Sequence, residues 1–337
     1  MNKTRFQFTT HEMPTLGTSR HLLVANNMSS TPSTSSALRA VFGDKLREGD
    51  LLSRYTSSRI GGPADYFIAV DTADELANAV KQARHFGLNH FILGAGSNIL
   101  VSDWGYRGLV IQNRARLVSI TEEGNRFIVR AESGAGLPTL ARQCMLRGAA
   151  GLEWAATVPG TVGGAVFGNA GAHGSDIAAT LRMATILQSN GDVRDWTLKD
   201  LQFAYRSSAL KRGEAGIILA AEFELKRDDP KVLQEKVETF ITHRKRTQPP
   251  GASIGSMFKN PKDDHAGRLI EAAGLKGVVI GKAEISPIHA NFFVNLGNAK
   301  AHDVYSLIAL AQSKVREKFG VNLELEIELV GEWGGQC

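Results

Sequence analysis

Cysteine is scarce in this sequence of 337 residues, which contains only Cys144 and Cys337. Two cysteines at this separation provide neither a disulfide framework nor the spacing of a metal site, and they fit a reducing compartment. No run of about 18 apolar residues is present, so no membrane span is predicted. The 39 Lys and Arg residues are scattered among 34 Asp and Glu residues, without a basic stripe that would bind nucleic acid. The net charge of +5 favours anionic small molecules as partners.

The first 37 residues contain a single acidic residue, Glu12, and lack the apolar core of a secretory signal. They end in SSTPSTSSA, and we predict that residues 1–37 form a disordered extension. Their Ser, Thr and Arg bias also resembles an organelle transit peptide, and the composition leaves that alternative open. The whole chain is 43% hydrophobic and long enough for two or three domains.

Residues 151–177, GLEWAATVPGTVGGAVFGNAGAHGSDI, are too rich in glycine and alanine for an ordinary core element and too apolar for a linker. Glycines let the backbone approach another group closely, and Pro159 stiffens the start of the loop. The window itself allows two interpretations, which are a buried glycine-rich turn between two strands and a backbone cradle for a large cofactor.

A second glycine loop lies upstream, after a predicted strand, helix and strand. A capping box at residues 72–75 begins the helix, Gly87 ends it, and the strand His90 to Leu93 runs into the loop Gly94–Asn98. The loop is not a dinucleotide fingerprint, because Ile99 stands where that pattern requires glycine. Its N–H groups and polar side chains nevertheless suit a pyrophosphate.

The pattern changes to short β runs, with one helix, between residues 108 and 227, and Asn190-Gly191 predicts a hairpin there. Asp229-Pro230 then begins a charged helix that extends to about Arg246. Shorter strands, a helix ending at Gly320 and the alternating strand LELEIELV complete the chain.

These changes divide the chain into three parts. We predict a two-lobed region over residues 38–227, with lobes at about 38–112 and 113–227, and a C-terminal α+β unit over residues 228–337. The last unit is large enough to fold as a domain.

Seven motifs then resemble one family in their order and spacing: ILGAGSNIL, GLEWAATVPGTVGGAVFGNAGAHG, AYRSSALKRG, GSMFKNP, AGRLIEAAGLKG, HANFFVN and LELEIELVG. The family is UDP-N-acetylenolpyruvoylglucosamine reductase, the MurB enzyme of peptidoglycan synthesis, and the resemblance covers about residues 50–331. It implies an α+β fold in which a two-lobed FAD-binding region of the PCMH/VAO type is followed by a smaller α+β substrate-binding domain.

The resemblance also implies an FAD-dependent NADPH oxidoreductase of cell wall synthesis. NADPH reduces noncovalent FAD, and UDP-N-acetylglucosamine enolpyruvate is then reduced to UDP-N-acetylmuramate. Hydride goes to the terminal methylene carbon of the enol ether, and a proton follows to the carbon that bears the carboxylate. The flavin performs the redox step, while the protein orients the substrate and stabilises the negative charge. We expect no metal.

Two residues match catalytic positions of the family. Arg206 matches the arginine that holds the substrate carboxylate, a task suited to a planar guanidinium. Ser256 matches the serine that donates the proton, with Lys259 close in sequence to stabilise the resulting oxyanion. By themselves these residues would be interpreted as a surface arginine and a turn serine.

Glu326 matches the family's catalytic glutamate. Glu324, Glu326 and Glu328 alternate with apolar residues in a predicted strand, so all three would share one face. The period of two cannot choose among the three acids, and a solvated face is the plain alternative.

The resemblance to the family also predicts which residues contact the cofactor and the substrate. The predicted FAD contacts are Arg59, Gly94, Ala95, Gly96, Ser97, Asn98, Pro159, Gly160, Thr161, Val162, Gly163, Gly164, Asn169, Ala170 and Gly171. The predicted substrate contacts are Tyr205, Lys259, Asn260 and His289, of which His289 also fits a structural role. We place the pyrophosphate at residues 94–98 and the flavin ring at 159–164. A side chain at Gly163 or Gly164 should then abolish flavin binding while the protein stays folded.

Some features depart from the family pattern. No inserted tyrosine loop lies between Gly216 and GSMFKNP, which indicates the shorter type of the family. Trp154 and Ala156 stand where the family often has Phe and Gly. Gln248 replaces a phosphate-binding lysine of one branch, so the nucleotide contacts stay open.

Two other functions remain alternatives. One is a different flavin oxidoreductase of the same superfamily, acting on a hydroxy acid or sugar, although no His or Cys near GAGSN would anchor a covalent flavin. The other is a flavin-binding protein without activity, which would not need Arg206, Ser256 and Glu326 together. We expect a cytoplasmic monomer whose partners are small molecules.

Overall fold

The computed structural model describes residues 32–333. The first lobe contains α1 (Pro32–Phe42), β1 (Arg47–Leu51), β2 (Pro63–Val70), α2 (Ala73–His85), β3 (His90–Leu93), β4 (Ile99–Val101) and β5 (Tyr106–Asn113). Its sheet has the order β1-β2-β5-β3, in which β1 is antiparallel to β2 and the other pairs are parallel. The carboxyl end of β3 leads into the first glycine loop.

Helix α2 forms as its sequence predicts. The side chain of Thr72 accepts a hydrogen bond from the N–H of Glu75 at the first turn. Leu76 and Val80 are completely buried on the face toward the sheet, and Gly87 adopts a left-handed conformation (φ 64°) just after the helix. The strand, helix, strand and glycine loop of the first lobe are therefore confirmed.

The predicted disordered extension, residues 1–37, is wrong at its end, because helix α1 begins at Pro32. Leu38 is completely buried in the core of the first lobe and anchors the helix there. Arg39 also forms an ion pair with Glu48 of β1 at 2.9 Å. The part of the extension that precedes α1, including the transit peptide alternative, lies outside the described residues.

The second lobe contains β6 (Val118–Glu123), β7 (Arg126–Glu132), α3 (Leu137–Leu146), β8 (Ala149–Ala150), α4 (Val162–Gly168), β9 (Gly171–Ala172), β10 (Ser175–Asp176), β11 (Leu181–Gln188), β12 (Val193–Thr197), α5 (Leu198–Leu201), β13 (Gly216–Arg227) and α6 (Pro230–Thr247). Its antiparallel sheet has the order β12-β11-β13-β7-β6, with β8 beside β13. Helices α3 and α6 pack together, and Val237 of α6 is buried in the core of this lobe.

The glycine-rich central stretch is more regular than predicted. It contains a 3₁₀ turn over Glu153–Thr157, helix α4 and the hairpin of β9 and β10. Thr161 accepts a hydrogen bond from the N–H of Gly164 at the start of α4, and Asn169 ends the helix in a left-handed conformation (φ 44°). The expectation of a glycine-rich loop is thus wrong for Val162–Gly168, which form a helix.

The C-terminal unit contains β14 (Ala252–Ser256), α7 (Ala266–Ala272), β15 (Val279–Ile280), β16 (Ala283–Ile285), β17 (Phe292–Asn295), α8 (Ala301–Phe319) and β18 (Glu328–Val330). Its antiparallel sheet has the order β14-β17-β16-β15 and shares a core with α7 and α8. The alternating strand LELEIELV is only partly confirmed, because just Glu328–Val330 are extended as β18 and a bend precedes them at Glu326 and Ile327.

The C-terminal unit is attached mainly to the first lobe. Strand β18 pairs in parallel with β4, and the carboxylate of Asp103 accepts hydrogen bonds from the N–H groups of Ala301 and His302 at the start of α8. Helix α6, which precedes the unit, packs instead on the second lobe. The predicted boundaries between the three parts stay predictions.

Within residues 32–333, no helix is long and apolar enough to cross a membrane.

Candidate active site

A cleft of about 620 Å³ opens between the two lobes. Its volume falls within the range of about 300–1,000 Å³ that is typical of ligand sites. Both lobes contribute residues to its wall: Tyr55, Thr56, Ser57, Gly94 and Ala95 from the first, and Gly134, Ala135, Gly136, Gly160 and Thr161 from the second. Three arginines line it too, and Arg116 forms no ion pair with another described residue. Such a wall suits an elongated anionic ligand.

The two predicted FAD-binding segments meet in this cleft. A Cβ atom at Gly94 would lie 2.7 Å from the Thr161 hydroxyl, and one at Gly96 would lie 2.2 Å from the carbonyl oxygen of Tyr55. The hydroxyl of Ser97 donates a 3.1 Å hydrogen bond to the carbonyl of Pro159. Gly94 and Gly96 therefore leave no room for a side chain, because Gly94 packs against a side chain of the second lobe and Gly96 against the backbone of its own lobe.

The backbone N–H groups at the start of α4 already donate hydrogen bonds within the protein. Val162 and Gly163 donate their N–H groups to the carbonyls of Ala135 and Ser133, and Gly164 donates to Thr161. The second segment can thus offer a flavin a flat glycine surface, with these N–H groups engaged. A Cβ at Gly163 would lie 2.8 Å from Cβ of Ser133, so a side chain there requires the protein itself to shift, and the expectation that the variant stays folded without flavin remains a prediction.

Gly164 differs from Gly163, because it is exposed and a Cβ there would meet only the Thr161 hydroxyl, at 3.6 Å. Arg59 is also exposed, with a left-handed backbone (φ 57°).

Asn169 is buried, and its amide bonds to the carboxylate of Asp176, the carbonyl of Ala204 and the N–H of Ala178. The side chain of Asn169 is therefore occupied by the protein, which leaves only its backbone for a cofactor.

Arg206 and Glu326 form the centre of the predicted catalytic group. Arg206 Nε donates a 2.8 Å hydrogen bond to Glu326 Oε1, and both side chains are largely buried, at 22% and 18% exposure. Arg206 Nη2 donates to the carbonyl of Gly171 at 2.6 Å. Within the described residues no hydrogen bond engages Nη1, which leaves that nitrogen for a substrate carboxylate.

The backbone turn that carries Arg206 is strained. Ala204 and Ser207 exchange hydrogen bonds around it, and Arg206 itself has a left-handed conformation (φ 53°), which is unfavourable for a residue other than glycine. Ser208 is completely buried and donates to the carbonyl of Phe167 at 2.6 Å. These contacts hold the turn against α4.

Ser256 lies beside the segment of Glu326. The N–H of Glu326 donates to the carbonyl of Met257, the residue after Ser256, at 3.0 Å. The N–H of Lys259 likewise donates to the carbonyl of Glu324 at 2.9 Å. The structure therefore brings Ser256 to the segment that carries Glu326, and Glu326 in turn contacts Arg206.

The predicted substrate contacts lie in different settings. The Tyr205 ring is 55% exposed beside the Arg206 guanidinium, 5.3 Å from its centre. The Lys259 ammonium pairs with Glu324 at 3.3 Å. Asn260 accepts from the N–H that begins α7, and Nδ1 of His289 accepts from the N–H of Asn291. Asn260 and His289 thus have structural contacts of their own, as the alternative for His289 anticipated.

Burial raises the pKa of Glu326, and the nearby cations Arg206, Lys211 and Lys259 oppose that shift without cancelling it. Glu324, by contrast, has a side chain that is 75% exposed. The three acids of LELEIELV therefore do not share one solvated face. The bend at Glu326 turns this carboxylate inward.

The N-terminal region, residues 64–197, matches the model of the FAD binding domain, and residues 246–330 match the C-terminal domain of UDP-N-acetylenolpyruvoylglucosamine reductase. A relative from Chloroflexus aggregans with the latter name is 44% identical over 289 residues, which are 85% of this chain and 97% of the relative. The chain belongs to the UDP-N-acetylenolpyruvoylglucosamine reductase family.

Other members of the family are similar to this chain along nearly their whole length. The reductase of Halalkalibacterium halodurans is 42% identical over 299 residues, 88% of this chain and 98% of that protein. The crystal structure of the reductase (MurB) from Thermus caldophilus has a TM-score of 0.72 and 35% identity, over 85% of this chain and 99% of that one. The predicted family, the two-lobed FAD-binding fold with its C-terminal domain, and the class of FAD-dependent oxidoreductase are confirmed.

Sequence reasoning missed Lys211 at the site and Arg244 on helix α6. Lys211 pairs with Glu328 at 2.8 Å and its side chain is only 13% exposed, although it lies inside the motif AYRSSALKRG that carries Arg206. Arg244 of α6 is half-buried, burial lowers its pKa, and no described acid forms an ion pair with it. Position within a motif was the available signal for Lys211, whereas nothing in the helix pattern distinguished Arg244.

Proposed function

We propose that this chain uses NADPH to reduce UDP-N-acetylglucosamine enolpyruvate to UDP-N-acetylmuramate, a step of peptidoglycan precursor synthesis. The observation that carries the proposal is the Arg206–Glu326 pair, which joins the second lobe to the C-terminal unit beside Ser256. Bound FAD supplies the redox chemistry by accepting hydride from NADPH and passing it to the enolpyruvyl group.

The cleft wall supports noncovalent FAD. Its glycines allow close approach, its arginines suit the pyrophosphate, and the cleft contains no Cys or His among its lining residues that would attach the flavin covalently. The loop Gly94–Asn98 and the exposed face of α4 at Gly164 would hold the cofactor.

Arg206 binds the substrate carboxylate through Nη1. Negative charge grows on that carboxylate and on the carbon beside it as hydride arrives at the methylene, so a fixed guanidinium stabilises the transition state more than the ground state. Glu326 keeps Arg206 oriented by holding Nε, and Gly171 holds Nη2. The pair is thus preorganised before substrate binds.

Ser256 donates the proton to the carbon that bears the carboxylate. Its hydroxyl is a weak acid, so the transfer needs a strongly basic acceptor and a cation to stabilise the alkoxide left behind. Lys259, which is 25% exposed and forms an ion pair with the exposed Glu324, is the nearest such cation along the chain. Arg244 is a candidate contact for the anionic nucleotide.

The deciding experiment is the visible spectrum of the purified protein. We expect the bands of bound oxidised flavin to bleach with NADPH and to return, without oxygen, when the enolpyruvyl sugar nucleotide is added. Recovery only in the presence of oxygen would instead indicate a different flavin oxidoreductase. A cytoplasmic location and a monomeric state are also proposed, and light scattering on the holoprotein tests the latter.

A further inference from the structure

Lys211 lies close to the proposed catalytic pair without contacting either of its charged groups directly. Its ammonium is 2.8 Å from Glu328 Oε1 and donates a 3.2 Å hydrogen bond to the backbone carbonyl of Glu326. Lysine is rarely buried to this degree without a specific partner. The first contact is at the start of β18, and the second is in the bend that precedes it.

The backbone bend at Glu326 and Ile327 sets the direction of the Glu326 side chain. Before it, the N–H of Glu326 is bonded to Met257, and after it β18 pairs with β4. At the bend itself the carbonyl of Glu326 accepts from two side chains, those of Lys211 and Asn98. With the peptide held on both sides, the carboxylate is directed toward Arg206.

Lys211 and Arg206 lie on two consecutive turns of one short segment. The N–H of Lys211 donates to the hydroxyl of Ser208, and that hydroxyl donates to the carbonyl of Phe167. The segment from Arg206 to Lys211 therefore reaches the C-terminal unit with two cations, one on the side chain of Glu326 and one on its backbone. A displacement of either contact would change the distance between the guanidinium and the carboxylate.

We propose that Lys211 is a positioning residue for substrate reduction: it holds the bend at Glu326 so that this carboxylate keeps Arg206 in its reactive orientation. The proposal rests on the proposed function for its kinetic consequence. It concerns a residue that does not need to touch the substrate.

The proposed role of Lys211 can be measured through the titration of the Glu326 carboxyl, because charged groups surround that carboxyl. The cations near its carboxylate are Arg206, Lys211 and Lys259, and the neighbouring acids on its own segment are Glu324 and Glu328. Burial raises the pKa of Glu326 and Lys211 opposes that shift. Removal of the Lys211 charge should therefore raise the Glu326 pKa further.

The test compares Lys211→Met, which keeps length without charge, with Lys211→Arg. The two half-reactions of the holoenzyme are followed by stopped flow. For Lys211→Met we expect full flavin content, an unchanged rate of reduction by NADPH, and reoxidation by the enolpyruvyl sugar nucleotide slowed about 10- to 100-fold, since small misplacements at a reacting centre have effects of this size. The pH profile of reoxidation should shift upward, and Lys211→Arg should recover most of the rate.

Lys314→Met is the matched control, because Lys314 forms an exposed ion pair with Glu317 on α8. A second readout, the carbon-13 NMR titration of the Glu326 carboxyl, needs no substrate. If wild-type flavin is not reoxidised by the sugar nucleotide, the proposed function fails, and the titration still tests Lys211. The positioning role is overturned if Lys211→Met leaves the Glu326 titration unchanged, or if it slows both half-reactions equally.

Discussion

Arg206 and Glu326 are 120 residues apart in the chain, and their side chains meet at 2.8 Å between Nε and Oε1. Together with the contacts of Lys211, it joins the second lobe to a segment that also bonds to the first lobe and to the C-terminal unit. A carboxylate that holds one edge of a guanidinium leaves another edge for a substrate anion. The pair therefore links the assembly of the three parts to the proposed chemistry.

Replacement of this arginine should separate the two half-reactions. Arg206→Lys keeps the positive charge but cannot hold Glu326, Gly171 and the substrate carboxylate simultaneously. We expect flavin reoxidation by the substrate to slow roughly 10²–10³-fold, the scale of a lost oxyanion donor, while reduction by NADPH is spared. Arg212→Lys is a suitable control, because Arg212 is exposed and bonds to the same turn. Equal damage to both half-reactions would point to a structural role for Arg206.

Removal of the serine hydroxyl should block a single step. Ser256→Ala is expected to bind FAD and to be reduced by NADPH at the normal rate, but to reoxidise roughly 10²–10⁴-fold more slowly, because a general acid contributes about this much. Ser256→Cys should recover part of the activity, since a thiol can donate from nearly the same point. Ser253→Ala, on the same strand, serves as the control. Reoxidation of the alanine variant at the wild-type rate would make Glu326 the next candidate for the proton donor.

The glycine surface of α4 can be tested at Gly164. The protein itself has room for a methyl group there, so Gly164→Ala should stay folded, and any clash must come from the ligand. Overpacking costs of about 1–3 kcal/mol correspond to a roughly 5- to 150-fold weaker flavin affinity. Flavin titration of the apoprotein measures this, with Gly168→Ala, which meets nothing within 4 Å, as the control. Unchanged affinity in Gly164→Ala would place the ring elsewhere.

The buried carboxylate should make stability depend on pH. Because burial raises the folded-state pKa of Glu326, the folded protein holds a proton between the ordinary and the raised pKa while the unfolded chain does not. In that window the free energy of unfolding falls as pH rises, and it levels off above the raised pKa. Relative to Glu326→Gln, wild-type protein should lose stability across the window in urea denaturation. A difference that is constant with pH would contradict the raised pKa.

Short sequence motifs predicted most helix ends, because a helix end is set by residues close to it in the sequence. Thr72 and Gly87 bound α2, Pro230 begins α6 and Gly320 ends α8, since a helix end depends on hydrogen bonds and backbone angles of a few neighbouring residues. The end of the extension was missed for the opposite reason. A serine-rich segment becomes helical at Pro32 because Leu38 is buried by residues distant in sequence.

The sequence by itself determined the family, the cofactor class and the residue types of the candidate site, because seven collinear motifs are a property of order and spacing. Only the tertiary structure decided that Glu326 is the inward acid of its row, that Lys211 holds its backbone, and that the side chain of Asn169 belongs to the protein. A period-two pattern cannot reveal a bend, and contacts between distant segments leave no periodicity. Those choices arise when residues distant in the sequence are packed together and each buried polar group must find a partner.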